Sequence, residues 1–201
     1  MADTEIKRTV GVLGGSFNPV HKGHTGLAAW IAEHGGVDAV WLSLSPSSPF
    51  KQHSAMLPDD LRLSMLRHAV AAHDKLQVTD VELSLPHPSY TADALAVLSR
   101  QYPDTAFRLI IGGDNVGAFN KWRRWEEIAG RYGLIIYPRP GYDFELPGFL
   151  VPYISKITVL HGCPAFDISS TEIRNRLAAG ESIQGLMDEE AEAALRDYMM
   201  S

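Results

Sequence analysis

Two histidines three residues apart, His21 and His24, follow a pair of glycines near the start of the chain. Residues 14–24 read GGSFNPVHKGH, directly after an apolar run at residues 10–13. Glycines let backbone N–H groups come close to a polyphosphate, and the N-terminus of a following helix adds positive potential. These features predict a nucleotide site that includes both histidines.

The spacing within this turn excludes two common nucleotide motifs. The dinucleotide motif GxGxxG is absent, and the P-loop motif fails because Val20 occupies the position of its second glycine. Dehydrogenase and kinase functions are therefore disfavoured. Zinc takes three or four ligands, and Cys163 with the scattered histidines forms no recognisable set, so a zinc site is disfavoured too. Taken alone, two histidines at this spacing could also serve only to cap or pack the start of a helix.

The elements around the turn predict an α/β fold. Apolar residues recur at helical spacing from Leu27 to Ile31, and residues 37–44 form a second buried strand, so that the two strands and the helix make a parallel βαβ unit. Further strands are predicted at residues 76–83, 106–111, 132–137 and 156–160. We predict a doubly wound, mostly parallel sheet with helices on both faces, a Rossmann-like fold, in one domain spanning residues 1–201. Ligands of such folds bind at the carboxyl edge of the sheet, where the glycine turn lies.

Two predicted helix starts could bind anionic groups. One begins with Ser-Tyr-Thr at residues 89–91, where free N–H groups could hold an anion or be capped by the hydroxyls. The other begins at Ser169, whose spacing to Glu172 matches a capping box. Its hydroxyl-rich start and the nearby Arg174 would form a polyphosphate receptor, although a purely structural helix would show the same box.

Other candidates lie in loops or at strand ends. Lys51 lies in a proline-punctuated loop after the second strand and is either a ligand group or an ordinary solvated lysine. Asp114 follows strand 106–111 and either caps a helix or binds ligand hydroxyls. Trp122 belongs to the stretch KWRRW, and an exposed indole among cations usually stacks on something. The helix that begins at Pro58 is interpreted as scaffold.

The composition limits the class of protein. With 201 residues, 45% of them hydrophobic, the chain can bury one sizeable core. A formal net charge of −6 gives no bulk attraction to nucleic acid or to an anionic membrane, so neither is predicted as a partner. One cysteine excludes an intrachain disulfide framework, and the N-terminus has no signal-peptide pattern. We expect a cytoplasmic protein.

The pattern GxFxPxHxGH in the first turn resembles the nucleotidyltransferase superfamily that transfers AMP from ATP, with relatives among class I aminoacyl-tRNA synthetases. Within that superfamily, further stretches resemble bacterial-type nicotinate-nucleotide adenylyltransferases. These are PSYT at residues 88–91, IIGGD at residues 110–114, Phe119 with Trp122, RPGY at residues 139–142 and ISSTEIR at residues 168–174. The chain departs from many relatives at Ser16 and Asn18, where they carry Thr and Asp. The loop before Lys51 also lacks the Pro-Pro-His pattern of some members.

The resemblance implies an enzyme of NAD biosynthesis that joins nicotinate mononucleotide to the AMP part of ATP. The products would be nicotinate adenine dinucleotide and pyrophosphate, with Mg²⁺ present as the companion of ATP. The attacking phosphate oxygen is already ionised at neutral pH, so such a reaction needs no general base.

The resemblance also implies roles for individual residues. His21, His24 and Arg174 would be catalytic. The ATP site would comprise Gly14, Gly15, Ser16, Phe17, His21, His24, Gly112, Asp114, Ile168, Ser169, Ser170, Thr171 and Arg174. The acceptor site would comprise Asn18, Lys51, Tyr90, Thr91, Asp114, Trp122 and Arg139. No side chain is expected to bind a metal.

Other functions fit part of the pattern. The acceptor could be nicotinamide mononucleotide or phosphopantetheine, because the superfamily includes enzymes for both. A fragment of a tRNA-binding synthetase would share the histidine turn but would need a basic surface and a lysine-rich second signature. A non-catalytic nucleotide sensor would keep the turn and lose some phosphate contacts, whereas this chain has both histidines and Arg174.

Overall fold

The structure, a computed structural model, describes residues 5–46, 56–138 and 145–200. Its strands are β1 (Arg8–Gly15), β2 (Ala39–Leu44), β3 (Leu76–Thr79), β4 (Thr105–Gly112), β5 (Leu134–Tyr137) and β6 (Ile157–Val159). They form one six-stranded sheet in the order β3-β2-β1-β4-β5-β6, and every neighbouring pair is parallel. The strand order reverses direction between β1 and β4, and ligands of doubly wound sheets bind at this switch point. The predicted fold class is confirmed.

Helices cover both faces of the sheet. They are α1 (Lys22–His34), α2 (Asp59–Val70), α3 (Thr91–Gln101), α4 (Gly113–Val116), α5 (Trp125–Glu127), α6 (Ser170–Ala178) and α7 (Glu189–Met200). Shorter helical segments are the 3-10 turns Val81–Ser84, Phe119–Lys121 and Gly148–Lys156 and the π-helix Ile128–Tyr132. In the described part of the chain, no helix is both long and apolar enough to cross a membrane.

Two hydrophobic clusters hold the layers together, one on each face of the sheet. Successive residues of β2 alternate between them, with Val40 and Leu42 in the cluster that includes α1, α2 and α7, and Trp41 in the cluster that includes α3. Because both faces are buried, the strands read as continuous apolar runs rather than as alternating patterns. The core thus fixes the carboxyl edge of the sheet from both sides.

Four predicted strands are shorter in the structure. The strands predicted at residues 37–44 and 156–160 lose only one or two residues at an end, as β2 and β6, and the other two differ for a physical reason. The strand predicted at residues 76–83 ends at Thr79, because Leu83 N bonds to Asp80 O in a 3-10 turn instead of joining the ladder. The prediction for residues 132–137 was wrong at its start, since Tyr132 ends the π-helix and Gly133, with φ 77°, separates it from β5. A left-handed backbone of this kind favours glycine and interrupts regular structure.

Candidate active site

The turn after β1 is shaped by Phe17, whose ring folds back over Gly15. Phe17 has φ 42°, a left-handed conformation that few non-glycine residues adopt, and its side chain is buried. A Cβ atom on Gly15 would lie 2.9 Å from the Phe17 ring, closer than real contacts allow. Gly15 therefore makes room for the ring, and the backbone of the turn stays open towards the carboxyl edge.

The two histidines form a stacked pair at the start of α1. Their ring centroids lie 3.7 Å apart with an interplanar angle of 30°. His21 is the N-cap residue, and its backbone N–H donates to Nδ1 of His24 at 3.3 Å. Because Nδ1 accepts this bond, neutral His24 carries its proton on Nε2, where it is a donor. Phe17 packs edge-on against His24, with ring centroids 5.0 Å apart.

His21 is buried and neutral at pH 7. Burial lowers the pKa of its imidazole to about 4, against the smaller opposing effect of the Glu172 carboxylate. No described residue offers a hydrogen-bond partner to Nδ1 of His21. A Cβ atom on Gly23 would lie only 2.9 Å from this nitrogen, so the glycine between the histidines lets the His21 ring fit against α1.

The start of α6 docks directly on the glycine turn. Ser170 Oγ donates to the carbonyl of Pro19 at 2.9 Å, and the Arg174 guanidinium donates to the carbonyl of Asn18 at 2.7 Å. A second guanidinium nitrogen donates to Thr171 Oγ1 at 3.1 Å. The first and last motifs of the sequence, about 150 residues apart, are therefore adjacent in space.

A capping box has two reciprocal hydrogen bonds, and the one predicted at α6 has one of them. The Ser169 hydroxyl accepts a hydrogen bond from the backbone N–H of Glu172 at 3.1 Å. The Glu172 carboxylate lies towards Arg176 and accepts from its Nε at 3.0 Å. The helix start at Ser170 is as predicted.

A pocket of about 390 Å³ lies between the glycine turn, the start of α1 and the start of α6. Predicted ATP residues in its lining are Gly14, Gly15, Ser16, Phe17, His21, His24, Ile168, Ser169 and Ser170. Thr171 and Arg174 adjoin it through the hydrogen bonds just described. Tyr137, Cys163 and Phe166 also line it and were not predicted.

A smaller pocket of about 150 Å³ lies on the other side of the same two glycines. Thr91 and Trp122 line it together, as expected for one binding site, and Trp122 is half-buried against Phe119 with ring centroids 5.4 Å apart. The remaining lining includes Glu82, which the sequence analysis did not single out.

Tyr90 is not brought to this smaller pocket. It lines a separate groove of about 590 Å³, where the Arg123 guanidinium lies 4.5 Å from the centre of its ring. Tyr90 is the N-cap residue of α3, and Thr91 is the first residue of the helix proper. The backbone changes direction between them, and the two side chains line different surfaces.

The other predicted residues either lie apart from the two pockets or fall outside the residues that the structure describes. Gly112 and Asp114 lie at the carboxyl end of β4, where the Asp114 carboxylate accepts a bond from Asn115 at 3.1 Å. Asn18 is buried, and its side chain accepts from the backbone N–H of Leu57 at 3.0 Å. Lys51 and Arg139 lie outside the described residues.

Arg62 is a functional candidate that the sequence interpretation missed. Its guanidinium is fully buried and donates to the carbonyl oxygens of Ser16, Ser45 and Leu57 and to the Asp59 carboxylate. It thereby ties the glycine turn to the end of β2 and to the start of α2. A signal was present, since position 62 belongs to the buried stripe of α2 at helical spacing, where a charged residue needs several partners.

The described residues include no cluster of three or more histidine, cysteine, aspartate or glutamate side chains that could hold a metal ion. Magnesium with ATP stays a prediction.

Comparison with known proteins identifies the family of this chain. The family model described as Cytidylyltransferase-like matches residues 12–176. A probable nicotinate-nucleotide adenylyltransferase from Bacteroides fragilis is 39% identical over 178 residues, which are 89% of this chain and 86% of the relative. One from Cytophaga hutchinsonii is 39% identical over 91% of this chain and 93% of the relative.

Solved structures show the same fold. The nicotinic acid mononucleotide adenylyltransferase of Plasmodium falciparum, complexed with NaAD, superposes with a TM-score of 0.73 at 17% identity. The superposition covers 95% of this chain and 96% of that one. The chain belongs to the nicotinate-nucleotide adenylyltransferase family, as the sequence motifs predicted.

Proposed function

We propose that this protein transfers the AMP part of ATP to nicotinate mononucleotide, giving nicotinate adenine dinucleotide and pyrophosphate in NAD biosynthesis. The observation that supports this most strongly is that two pockets share one wall, Gly14 and Gly15. The larger pocket has the histidines and the start of α6, and the smaller has Thr91 and Trp122. An enzyme that joins two nucleotides needs two such sites meeting at the reacting phosphorus.

In the proposed reaction, a phosphate oxygen of the acceptor attacks the α-phosphorus of ATP. The bond from this phosphorus to the bridging oxygen breaks, and pyrophosphate leaves with that electron pair. The attacking oxygen is ionised at neutral pH, so the protein contributes placement and charge stabilisation rather than a base. His24, with its proton on Nε2, would donate to the oxygens on which negative charge develops. His21, neutral in the free protein, would orient His24 through the stacked rings and the backbone hydrogen bond.

The outgoing diphosphate would lie at the start of α6. Thr171 and Arg174 present hydroxyl and guanidinium donors there, and the helix N-terminus adds positive potential. Ser170, whose hydroxyl donates to the Pro19 carbonyl, would contribute its backbone N–H as the first residue of the helix. A guanidinium has five N–H donors, and the described contacts of Arg174 with Asn18 and Thr171 leave others for phosphate oxygens. Mg²⁺ would enter with ATP as part of the substrate and neutralise the triphosphate.

The pyridine ring of the acceptor would occupy the smaller pocket. Trp122 would stack on the ring, and the first N–H groups of α3 would bind its carboxylate. Tyr90 would act from the neighbouring groove, while Lys51, Arg139, Asn18 and Asp114 remain candidates for the rest of the mononucleotide. A tRNA-binding fragment is disfavoured by the net charge of −6, and a non-catalytic sensor by the presence of both histidines and Arg174.

Selectivity for the acid acceptor is the first test of this function. With Mg-ATP, kcat/KM for nicotinate mononucleotide should exceed that for nicotinamide mononucleotide by at least about a hundredfold, and phosphopantetheine should give no pyrophosphate. The reason is that a helix N-terminus makes charge-assisted bonds to a carboxylate that a neutral amide cannot match. The measurement is pyrophosphate release with each acceptor at matched concentrations. Equal kcat/KM for acid and amide, or preference for phosphopantetheine, would contradict the proposed acceptor.

A further inference from the structure

Glu82 is a buried carboxyl group that the proposed mechanism does not use. It lies in the 3-10 turn Val81–Ser84 and is 8% exposed. Its two oxygens accept hydrogen bonds from Ser43 Oγ at 2.8 Å and Ser89 Oγ at 3.2 Å. Among the described residues, no cation forms an ion pair with it. A buried carboxylate without a cationic partner is costly, so its position calls for an explanation.

Glu82 lines the same small pocket as Thr91 and Trp122, and its Oε1 lies 4.0 Å from the position that a Cβ atom on Gly14, another lining residue, would take. The pocket has a volume of about 150 Å³, and a cavity of roughly this size holds one benzene molecule. A pyridine ring bound there would place its substituent within a few ångströms of Glu82. If the substituent is a carboxylate, two negative charges share one enclosed site.

Burial makes Glu82 easier to protonate than an exposed glutamate. Desolvation raises the pKa of its carboxyl group, and the hydroxyls of Ser43, Ser89 and Ser45, in that order, oppose the shift. These serines face it from the end of β2 and from the segment before α3, and none titrates near neutral pH. A second carboxylate in the pocket would raise the pKa further, because like charges disfavour ionisation.

We propose that Glu82 is a specificity-determining residue that takes up a proton from solvent when an acidic acceptor binds. In the protonated form its O–H donates a hydrogen bond towards the ring carboxylate. In the ionised form it accepts from the NH₂ group of an amide instead. Glu82 therefore favours the acid at low pH and relaxes this preference as the pH rises. The inference rests on the proposed function, because that function places the pyridine ring in this pocket.

The ratio of kcat/KM for nicotinate mononucleotide to that for nicotinamide mononucleotide, measured from pH 6 to 8.5, tests the proposal. Both acceptors carry the same phosphate, so its titration cancels in the ratio. The wild-type ratio should fall by about tenfold or more as the pH rises. Glu82→Gln, which cannot ionise, should give a flat ratio, and Glu33→Gln on the exposed side of α1 should follow the wild type. A flat wild-type ratio, or a Glu82→Gln variant that keeps the wild-type slope, would overturn the proposal.

Calorimetry on the wild-type protein gives a test that does not depend on the folding of a variant. Each acceptor is titrated without ATP, at neutral pH, in two buffers with different ionisation heats. Nicotinate mononucleotide should bind with more proton uptake than nicotinamide mononucleotide, and equal uptake would overturn the role of Glu82. Turnover of both acceptors with a flat ratio refutes this role alone, whereas turnover of neither refutes the proposed function itself.

Discussion

His24→Ala should lower kcat by about a hundredfold to a thousandfold, with a smaller change in KM, because it removes a donor that acts mainly in the transition state. The donor is Nε2–H, fixed by the hydrogen bond from the His21 backbone to Nδ1. The fold should survive, since the bonds of Ser170 and Arg174 to the glycine turn do not involve this ring. The measurement is steady-state pyrophosphate release with nicotinate mononucleotide and Mg-ATP.

A matched control for this variant lies on the same helix. His34 is at the last turn of α1, where its ring stacks on Trp30 and bonds to the Trp30 carbonyl at 2.8 Å. His34→Ala should leave kcat within about twofold of wild type. A folded His24→Ala protein with near wild-type kcat would remove His24 from the catalytic group.

Arg62→Met should lower the free energy of unfolding by roughly 3 kcal/mol or more and reduce kcat/KM for ATP by at least about tenfold. Methionine keeps the packing of the stem but leaves the carbonyls of Ser16, Ser45 and Leu57 without their donor. Because one of these carbonyls belongs to the glycine turn, the phosphate site should lose its alignment along with stability. Urea unfolding measures the free energy of unfolding. Steady-state kinetics without urea, at a low temperature where the variant stays folded, measures kcat/KM for ATP.

Arg67→Met is the control on the same helix. Arg67 is exposed and pairs with Asp80 at 3.2 Å across the protein surface. Exposed pairs of this kind contribute about 1 kcal/mol or less, so this variant should stay close to wild type in both stability and rate. If Arg62→Met matched Arg67→Met in both measurements, Arg62 would have no role in holding the turn.

The first and last phosphate motifs could be predicted because their signals are local. Residues 14–24 combine glycines with a helix start, and Ser169 with Glu172 marks another. The general rule that parallel strands end at one edge then brings such segments near each other. The direct hydrogen bond from Arg174 to the carbonyl of Asn18 could not be predicted, because no local sequence pattern contains it.

Arg62 and Glu82 could not be assigned in this way, because their roles depend on partners far along the chain. Arg62 reaches a carbonyl 46 residues away, and Glu82 accepts from Ser43, 39 residues away. The predicted strand at residues 76–83 also gave no reason to assign a role to Glu82. In an alternating strand with Val81 and Leu83 buried, Glu82 would face solvent. Only the early end of β3 turns the carboxyl group into the pocket wall.

The separation of Tyr90 from Thr91 illustrates the same limit at short range. Both belong to one sequence motif, yet the N-cap residue has an extended backbone and the next residue is helical. Adjacent side chains at such a boundary diverge, so a shared motif did not place them in one pocket. Arg123 stacks on Tyr90 and lines the same groove. Its position within the cationic stretch KWRRW did not indicate this contact.

Isotope tracing of the phosphorus atoms of ATP tests the central claim most directly, namely that the bond broken lies between the α- and β-phosphates. The protein is incubated with nicotinate mononucleotide and Mg-ATP labelled either at the α-phosphorus or at the γ-phosphorus. We expect the α-label in a dinucleotide and the γ-label in pyrophosphate, in equal amounts. Formation of ADP, release of labelled orthophosphate before any pyrophosphatase is added, or transfer of the γ-label to the acceptor would contradict the account.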